Sequence, residues 1–353
     1  MTTRIFGAPH LYIQGPDALE RLPDLLSGLG ARAFLVVDPF VAQRYGPRLT
    51  ELLGPSAAIA AFGGECTSAE IDRMSEIAES HNADVIVGMG GGKAIDTAKG
   101  VRIKRGGRIV IVPTIASNDS PTSRLSVIYK EDHALSEVRL MSTNPDVVLV
   151  DSKLIVEAPV RFFLAGIGDA LSKKYEATEC VNADARNFYG GAQTECLRAI
   201  ASHCDKILRR DAVAAANDVR THRISPEVES VIEAAVLLSG LAFENGGLSI
   251  AHSLTRGFSV IPAMQSYLHR EQVAFGTLVQ LAMTPDAEAE RDDFARLLAN
   301  LSLPRRLSDF GGTDQDAQTI AEVTFDTSPY IRNFQRPVTV AFIVRAIRSL
   351  ETD

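Results

Sequence analysis

The first half of the chain alternates short apolar runs with segments of helical periodicity. The apolar runs, rich in Val, Ile, Phe and Ala, occupy residues 34–37, 58–62, 85–87, 109–112 and 147–150. Runs that are apolar on both faces are typical of a parallel sheet covered by helices on each side. The pattern therefore predicts an α/β region, and SVIYKEDHALSEVRLM at 126–141 predicts a hairpin inserted before the last strand.

The pattern changes after Pro159 to long helical periodicities with almost no strand signal. These helical segments cover residues 162–181, 192–209, 226–244 and 271–283. We therefore expect a domain boundary near residue 160, with an α/β domain at 1–160 and an all-helical domain at 161–353.

The segment IVGMGGGKAIDTAKG at 86–100 runs from an apolar strand through consecutive glycines into a helix. Glycine has no Cβ, so Gly90, Gly91 and Gly92 allow a sharp turn and let an anion approach the main chain. The helix presents unpaired N–H groups at its start, and Lys93 adds a positive charge. The spacing matches neither G-x-G-x-x-G nor the P-loop. The residues alone thus indicate either a phosphate cradle or a tight turn without a ligand.

Asp38 follows the predicted strand FLVV at 34–37. An acidic side chain at this place in an open sheet commonly binds the ribose hydroxyls of an adenosine cofactor and disfavours a 2′-phosphate. An Asp before Pro39 is equally typical of a helix N-cap. The sequence leaves both interpretations open.

Composition narrows the class of protein. With 353 residues, 46% hydrophobic and 23% charged, the chain has the size and balance of a two-domain globular enzyme. A net charge of −8 argues against a nucleic-acid surface. Four cysteines without a C-x-x-C pair, and an N-terminal segment without an apolar core, lead us to expect a cytoplasmic protein. The apolar run at 234–243 is too short to span a bilayer.

Five blocks resemble the glycerol dehydrogenase branch of the iron-type, metal-dependent (group III) alcohol dehydrogenase superfamily. They are GGGKAIDTAK at 90–99, VPTIASNDSPTSRLSVIY at 112–129, GIGDALSKKYEA at 166–177, HREQVAFGTLVQLAM at 269–283 and SPYIRNFQRPVT at 328–339. The resemblance implies a Rossmann-like NAD-binding domain followed by an all-α metal-binding domain, an architecture similar to that of dehydroquinate synthase.

The resemblance also implies where NAD binds. The segment PTIASND at 113–119 is a polar turn after a strand, where open α/β sheets bind ligands, although the same residue types also dominate ordinary turns. Together with Asp38, the residues predicted to bind NAD are Gly91, Gly92, Lys93, Asp96, Thr114, Ser117, Ser123, Leu125 and Tyr129.

The metal ligands that the resemblance implies are Asp169, His252 and His269, which we also expect to bind substrate and to be catalytic. One carboxylate and two imidazoles leave the fourth tetrahedral position of Zn²⁺ for a substrate oxygen. Iron-binding relatives carry a further histidine four residues after the aspartate, where this chain has Lys173. A protonated ammonium cannot be a ligand, so zinc is predicted over iron.

Asp119 matches the position that binds a substrate hydroxyl in this family and is predicted to be catalytic. Zinc-branch relatives usually have Thr before it, where this chain has Asn118. An Asx turn before Pro121 is the alternative interpretation of Asp119.

The function implied is reversible hydride transfer between NAD⁺ and a small polyol, glycerol or a vicinal diol, which yields a hydroxyketone such as dihydroxyacetone. Two alternatives remain at this point. One is a 2-hydroxy or 2-oxo acid oxidoreductase, for which Arg124 would face the carboxylate, and the other is a lyase similar to dehydroquinate synthase. The resemblance further implies a homo-oligomer, an octamer, with no nucleic-acid or membrane partner.

Overall fold

The computed structural model describes residues 3–116 and 119–351. The chain folds into two compact units. The first contains residues 7–159 and 219–240, and the second contains the described parts of residues 1–6, 160–218 and 241–353. The chain passes between units after residue 159, but residues 219–240 return to the first unit. The assignment of one predicted domain to NAD and the other to metal stays a prediction.

The first unit is built on a six-stranded sheet in the order β1-β8-β5-β4-β2-β3, in which all neighbouring strands are parallel. Two further strands, β6 and β7, form an antiparallel hairpin. The strands are β1 (Leu11–Gly15), β2 (Ala33–Val37), β3 (Ala57–Ala61), β4 (Val85–Gly90), β5 (Arg108–Pro113), β6 (Leu125–Tyr129), β7 (Leu135–Leu140) and β8 (Val147–Asp151).

The predicted α/β fold with an inserted hairpin is confirmed. Strands β2 and β8 are buried at every position, which agrees with the apolar runs FLVV and VVLV that they contain. Strand β1 was not predicted because LYIQG lies at an edge of the sheet, is only partly buried, and lacks a continuous apolar run.

Helices cover the sheet of the first unit and make up the second. They are α1 (Leu22–Leu29), α2 (Pro39–Leu53), α3 (Ser68–Ser80), α4 (Gly92–Arg105), α5 (Ser152–Glu157), α6 (Val160–Asn182), α7 (Glu195–Arg220), α8 (Pro226–Glu233), α9 (Ser239–Gly246), α10 (Ile250–Phe258), α11 (His269–Met283), α12 (Glu288–Asn300), α13 (Asp314–Thr327) and α14 (Val340–Ser349). No strand occurs within residues 160–351, so the predicted helical half is confirmed for the part that the structure describes. The segment predicted as one helix at 226–244 is instead α8, a π-helical turn at Ala234–Leu238, and α9.

Among the described residues, no single helix has both the length and the hydropathy needed to cross a membrane. Two consecutive segments, Pro226–Gly246 and Ile250–Phe258, meet the criteria only when joined across a 96° bend.

Close packing of α4 on the sheet depends on Gly88 in the middle of β4. A Cβ at Gly88 would lie 2.7 Å from the Cβ of Ala98 and 3.3 Å from Cδ1 of Ile111. The first distance is well inside van der Waals contact, so the missing side chain lets α4 lie directly on β4. The start of α4 is thereby fixed relative to the ends of the strands.

We expect Gly88→Ala to lower the free energy of unfolding by about 1–3 kcal/mol, because the added methyl group overpacks the interface between α4 and β4. The matched control is Gly28→Ala in α1, where an added Cβ meets no atom within 4 Å. That change should leave stability unchanged or raise it by no more than about 1 kcal/mol. Urea unfolding measures both, and equal stabilities of the two variants would show that α4 can shift without cost.

Candidate functional site

The winding of the sheet reverses between β2 and β4. From β2 the chain moves outward to β3, whereas from β4 it moves in the opposite direction to β5. Open α/β sheets bind ligands at the carboxyl ends of strands where the winding reverses. Asp38 follows β2, and Gly90 ends β4, so the predicted cofactor position Asp38 and the glycine turn lie together at that edge.

The glycine turn is shaped by close contact with Asp38. Gly90 has a φ of 151°, and a Cβ there would lie 2.8 Å from Cβ of Asp38 and 2.9 Å from Cβ of Ala94. The Gly90 carbonyl accepts a hydrogen bond from the backbone N–H of Thr114 at 3.1 Å. Gly91 is the N-cap of α4 and makes no side-chain cap. The main chain at the start of this helix is thus open to an anion, as a phosphate cradle requires.

Asp38 also caps a helix. Its Oδ1 accepts hydrogen bonds from the backbone N–H of Phe40 at 3.0 Å and of Val41 at 3.4 Å. The N-cap interpretation of Asp38 is therefore confirmed, while its contact with a ribose stays a prediction.

Lys93 is held by an ion pair in the first unit. Its Nζ donates to Oε2 of Glu65 at 2.7 Å, and Nδ1 of His133 lies 2.6 Å from the same oxygen. Burial disfavours the charged carboxylate, but Lys93 and His133 outweigh it and lower the pKa of Glu65. The ammonium also lies 5.7 Å from the ring centre of Tyr129. The contacts of Lys93 and Tyr129 with a cofactor stay predictions.

A buried lysine fixes the segment that carries Ser123 and Leu125. Lys99 is fully buried, and its Nζ donates to the carbonyls of Ser120 at 2.6 Å and Leu125 at 2.7 Å, with Oγ of Ser123 at 3.3 Å. Asp96 accepts a hydrogen bond from Oγ of Ser120 at 2.8 Å and lies 3.6 Å from Nζ of Lys99. Burial raises the pKa of Asp96, and Lys99 opposes that shift. Asp96 therefore has a structural role here, and its contact with NAD stays a prediction.

The next two predicted positions are Ser117 and Asp119. Ser117, together with Asn118, lies outside the described residues. Asp119 is partly buried, and its carbonyl accepts a hydrogen bond from Oγ1 of Thr122 at 3.4 Å. The substrate-binding role of Asp119 stays a prediction.

In the second unit, α6, α10 and α11 bring the three predicted metal ligands together. Oδ1 of Asp169 lies 3.4 Å from Nε2 of His252, and the ring centres of His252 and His269 are 5.9 Å apart. Two ligands of a tetrahedral zinc ion are separated by roughly 3.3–3.4 Å, given the usual bond lengths. Asp169 is buried, whereas His269 is exposed. The donor types fit zinc, and the pair of Asp169 and His252 also fits it in separation.

Glu176 orients His252. Its fully buried carboxylate accepts hydrogen bonds from the backbone N–H groups of Ser249 at 2.8 Å and His252 at 3.0 Å. These bonds replace the side-chain cap that the N-cap residue of α10 does not make. Its Oε2 lies 2.6 Å from Nδ1 of His252, which leaves Nε2 facing Asp169. Burial disfavours both charges, but their attraction outweighs it, lowering the pKa of Glu176 and raising that of His252. A carboxylate behind a histidine in this way is typical of metal sites.

Lys173 lies within the same group. Its buried Nζ donates to Oδ1 of Asp169 at 2.9 Å and lies 3.5 Å from Nε2 of His252. Burial opposes ionisation of Asp169, but Lys173 and His252 hold its pKa well below the ordinary value. Within the described part of the chain, no three His, Cys, Asp or Glu side chains are placed so as to hold a metal ion. The ligand assignment therefore stays a prediction.

Sequence reasoning did not single out Glu176 or Lys99. A signal for Glu176 was present, since Asp169, Lys173 and Glu176 are spaced i, i+4 and i+7 and so share one helix face. Lys99 stands three residues after Asp96 in the same helix, where a charged pair also shares a face.

Comparison with known proteins shows the family to which the chain belongs. The family model for iron-containing alcohol dehydrogenase matches residues 9–152. Glycerol dehydrogenase from Thermotoga maritima is 38% identical over 99% of this chain and 97% of its own length. The chain belongs to the iron-containing alcohol dehydrogenase family. It is an oxidoreductase of the glycerol dehydrogenase branch.

Other members of this family are similar over the same extent. The crystal structure of a probable glycerol dehydrogenase from Sinorhizobium meliloti has a TM-score of 0.92 at 39% identity, covering 99% of this chain and 98% of that one. Glycolaldehyde reductase from Halobacterium salinarum is 35% identical over 98% of this chain and 96% of its own length. The family thus includes relatives of equal coverage with different named substrates.

We expect Glu176→Ala to lower the free energy of unfolding by about 3–5 kcal/mol, because it leaves His252 and two backbone N–H groups buried without their acceptor. Glu176→Gln keeps an acceptor oxygen and should cost less. Urea unfolding measures both, with Glu195→Ala, whose side chain is 74% exposed in α7, as control. If Glu176→Ala is as stable as the control, Glu176 does not hold α10 in place.

Proposed function

We propose that this protein catalyses the reversible NAD-dependent and zinc-dependent oxidation of a small polyol, glycerol or a vicinal diol, to a hydroxyketone such as dihydroxyacetone. The observation that carries the proposal is the 3.4 Å separation of Asp169 and His252, with the ring of His269 5.9 Å from that of His252 and with Glu176 behind His252. It is supported by similarity over almost the whole chain to a glycerol dehydrogenase.

The cofactor would bind at the carboxyl ends of β2 and β4. Backbone N–H groups at Gly91 and Gly92 would bind the phosphates, and the close approach of Gly90 to Asp38 supports a position for that carboxylate beside them. That carboxylate would accept hydrogen bonds from ribose hydroxyls and would repel a 2′-phosphate, so NAD is favoured over NADP.

The residues that would hold the metal are Asp169, His252 and His269. Zn²⁺ bound there would supply a Lewis acid that lowers the pKa of a substrate hydroxyl. Glu176 keeps the proton of His252 on Nδ1 and its Nε2 directed at Asp169. Asp119 would bind a substrate hydroxyl. We also propose that the enzyme is a homo-oligomer, an octamer.

The direct test is turnover with NAD⁺, followed by NADH absorbance. We expect glycerol and 1,2-propanediol to reduce NAD⁺, EDTA to abolish the reaction and added Zn²⁺ to restore it. Faster turnover of 2-hydroxybutyrate would instead identify a hydroxy-acid oxidoreductase. A chain that holds NAD but never accumulates NADH would be a lyase that retains its cofactor, and activity insensitive to EDTA would contradict the metal requirement.

The cofactor position is tested by Gly90→Ala, which forces a Cβ against Asp38 and Ala94. We expect the Kd for NAD⁺ to rise about tenfold or more, since a misplacement costing about 1.4 kcal/mol has that effect. The control is Gly106→Ala at the end of the same helix, which has φ 79° but no atom within 4 Å of an added Cβ. Calorimetric titration with NAD⁺ compares them, and equal affinities would place the cofactor elsewhere.

A further inference from the structure

Lys173 has a charge that the proposed reaction does not use. Its side chain is 1% exposed, and its ammonium is hydrogen-bonded to Asp169 within a group that also contains His252 and Glu176. Burying an ammonium costs free energy unless a counter-charge lies in contact with it. Asp169 supplies that counter-charge through the same oxygen, Oδ1, that faces His252.

The ammonium and a metal ion require the same oxygen atom. A zinc ion bonded to Oδ1 of Asp169 and Nε2 of His252 at about 2.0–2.1 Å would lie no more than about 4 Å from Nζ of Lys173, given the three interatomic distances. At that separation two positive charges repel strongly, and burial weakens the screening by water. A bound dication therefore needs the ammonium to leave its present position.

We propose that Lys173 is an internal counter-cation that a divalent metal ion must displace from Asp169, so that Lys173 sets the metal affinity of this site. The inference rests on the metal assignment in the proposed function.

The aromatic ring of Phe243 is a further partner of the ammonium. The ring centre of Phe243 lies 5.7 Å from Nζ of Lys173, and Phe243 is itself buried. The face of an aromatic ring attracts a cation at about this distance. This attraction would lower the free-energy cost of an ammonium that has left Asp169.

The test is calorimetric titration of the full-length protein with Zn²⁺ alone, after dialysis against a chelator. We expect Lys173→Met to bind zinc about tenfold more tightly or better than the unmodified protein, because the competing charge is gone. Lys173→Arg keeps the charge and should bind zinc as weakly as the unmodified protein. The control is Lys174→Met, the next residue on α6, whose ammonium pairs with Asp205 and Glu290 and should not affect zinc affinity.

Thermal unfolding gives a second measurement. Without zinc, Lys173→Met leaves the Asp169 carboxylate buried without its ammonium, so its Tm should fall. Saturating zinc should then raise the Tm by more than it does for the unmodified protein. If the variant folds only when zinc is present, recovery of the fold on adding zinc supports the inference equally well.

Equal or weaker zinc affinity in Lys173→Met overturns the inference, since Lys173 would not be competing with the metal. Absence of zinc binding by every variant overturns both the inference and the metal assignment. NADH formation from glycerol under those conditions would leave the polyol dehydrogenase function standing. Zinc binding with wild-type affinity in all variants, together with zinc-dependent activity, would overturn the inference alone.

Discussion

The second unit depends on one fully buried carboxylate, that of Glu176. It accepts hydrogen bonds from two backbone N–H groups at the start of α10 and from Nδ1 of His252. A buried ionised group is tolerated only when its hydrogen-bonding capacity is satisfied. Here the donors that satisfy it include the backbone at the start of α10 and the side chain of His252 on that helix. Folding of α10 against α6 and orientation of His252 are therefore one event. Rotation of the imidazole would break its contact with Oε2 of Glu176, which would then keep only the backbone N–H groups and the Ser172 hydroxyl as donors.

In the first unit the corresponding constraint is the close approach of the main chain, which a ligand at the glycine turn would require. Gly88 brings α4 onto β4, and Gly90 lets the turn meet Asp38. Both glycines act by the absence of a side chain. Packing at these glycines thus fixes the backbone where the winding of the sheet reverses. The positions of the polar groups there follow from that backbone. This is why Asp38 can cap α2 and still lie beside the glycine turn.

The sequence predicted the sheet and the helical half because buried strands and long helices have strong periodic signals, as in FLVV at 34–37 and the helix at 162–181. It did not predict β1, whose edge position requires no continuous apolar run. It did not show that the Asp96 carboxylate faces Ser120 and Lys99 in the interior, because spacing along a helix does not reveal such partners. The contact of Asp96 with NAD stays a prediction. The glycines were predictable, since their role is local, whereas the role of Glu176 depends on Ser249 and His252, which are distant in sequence.

Lys99 and Lys173 show how the partners of a buried ammonium decide its role. Lys99 donates mainly to two backbone carbonyls, which belong to the fold and cannot be given to a ligand without unfolding the segment. Lys173 instead donates to Asp169, a side chain whose second possible partner is a metal ion. Backbone carbonyl oxygens that have no other cation to bind hold the ammonium permanently. A carboxylate that faces an imidazole can release the ammonium in exchange for a dication, because the carboxylate charge attracts the dication more strongly than it attracts the ammonium. Two lysines of similar burial therefore differ in role: Lys99 holds a loop, whereas Lys173 has the partner that the proposed competition with a metal ion requires.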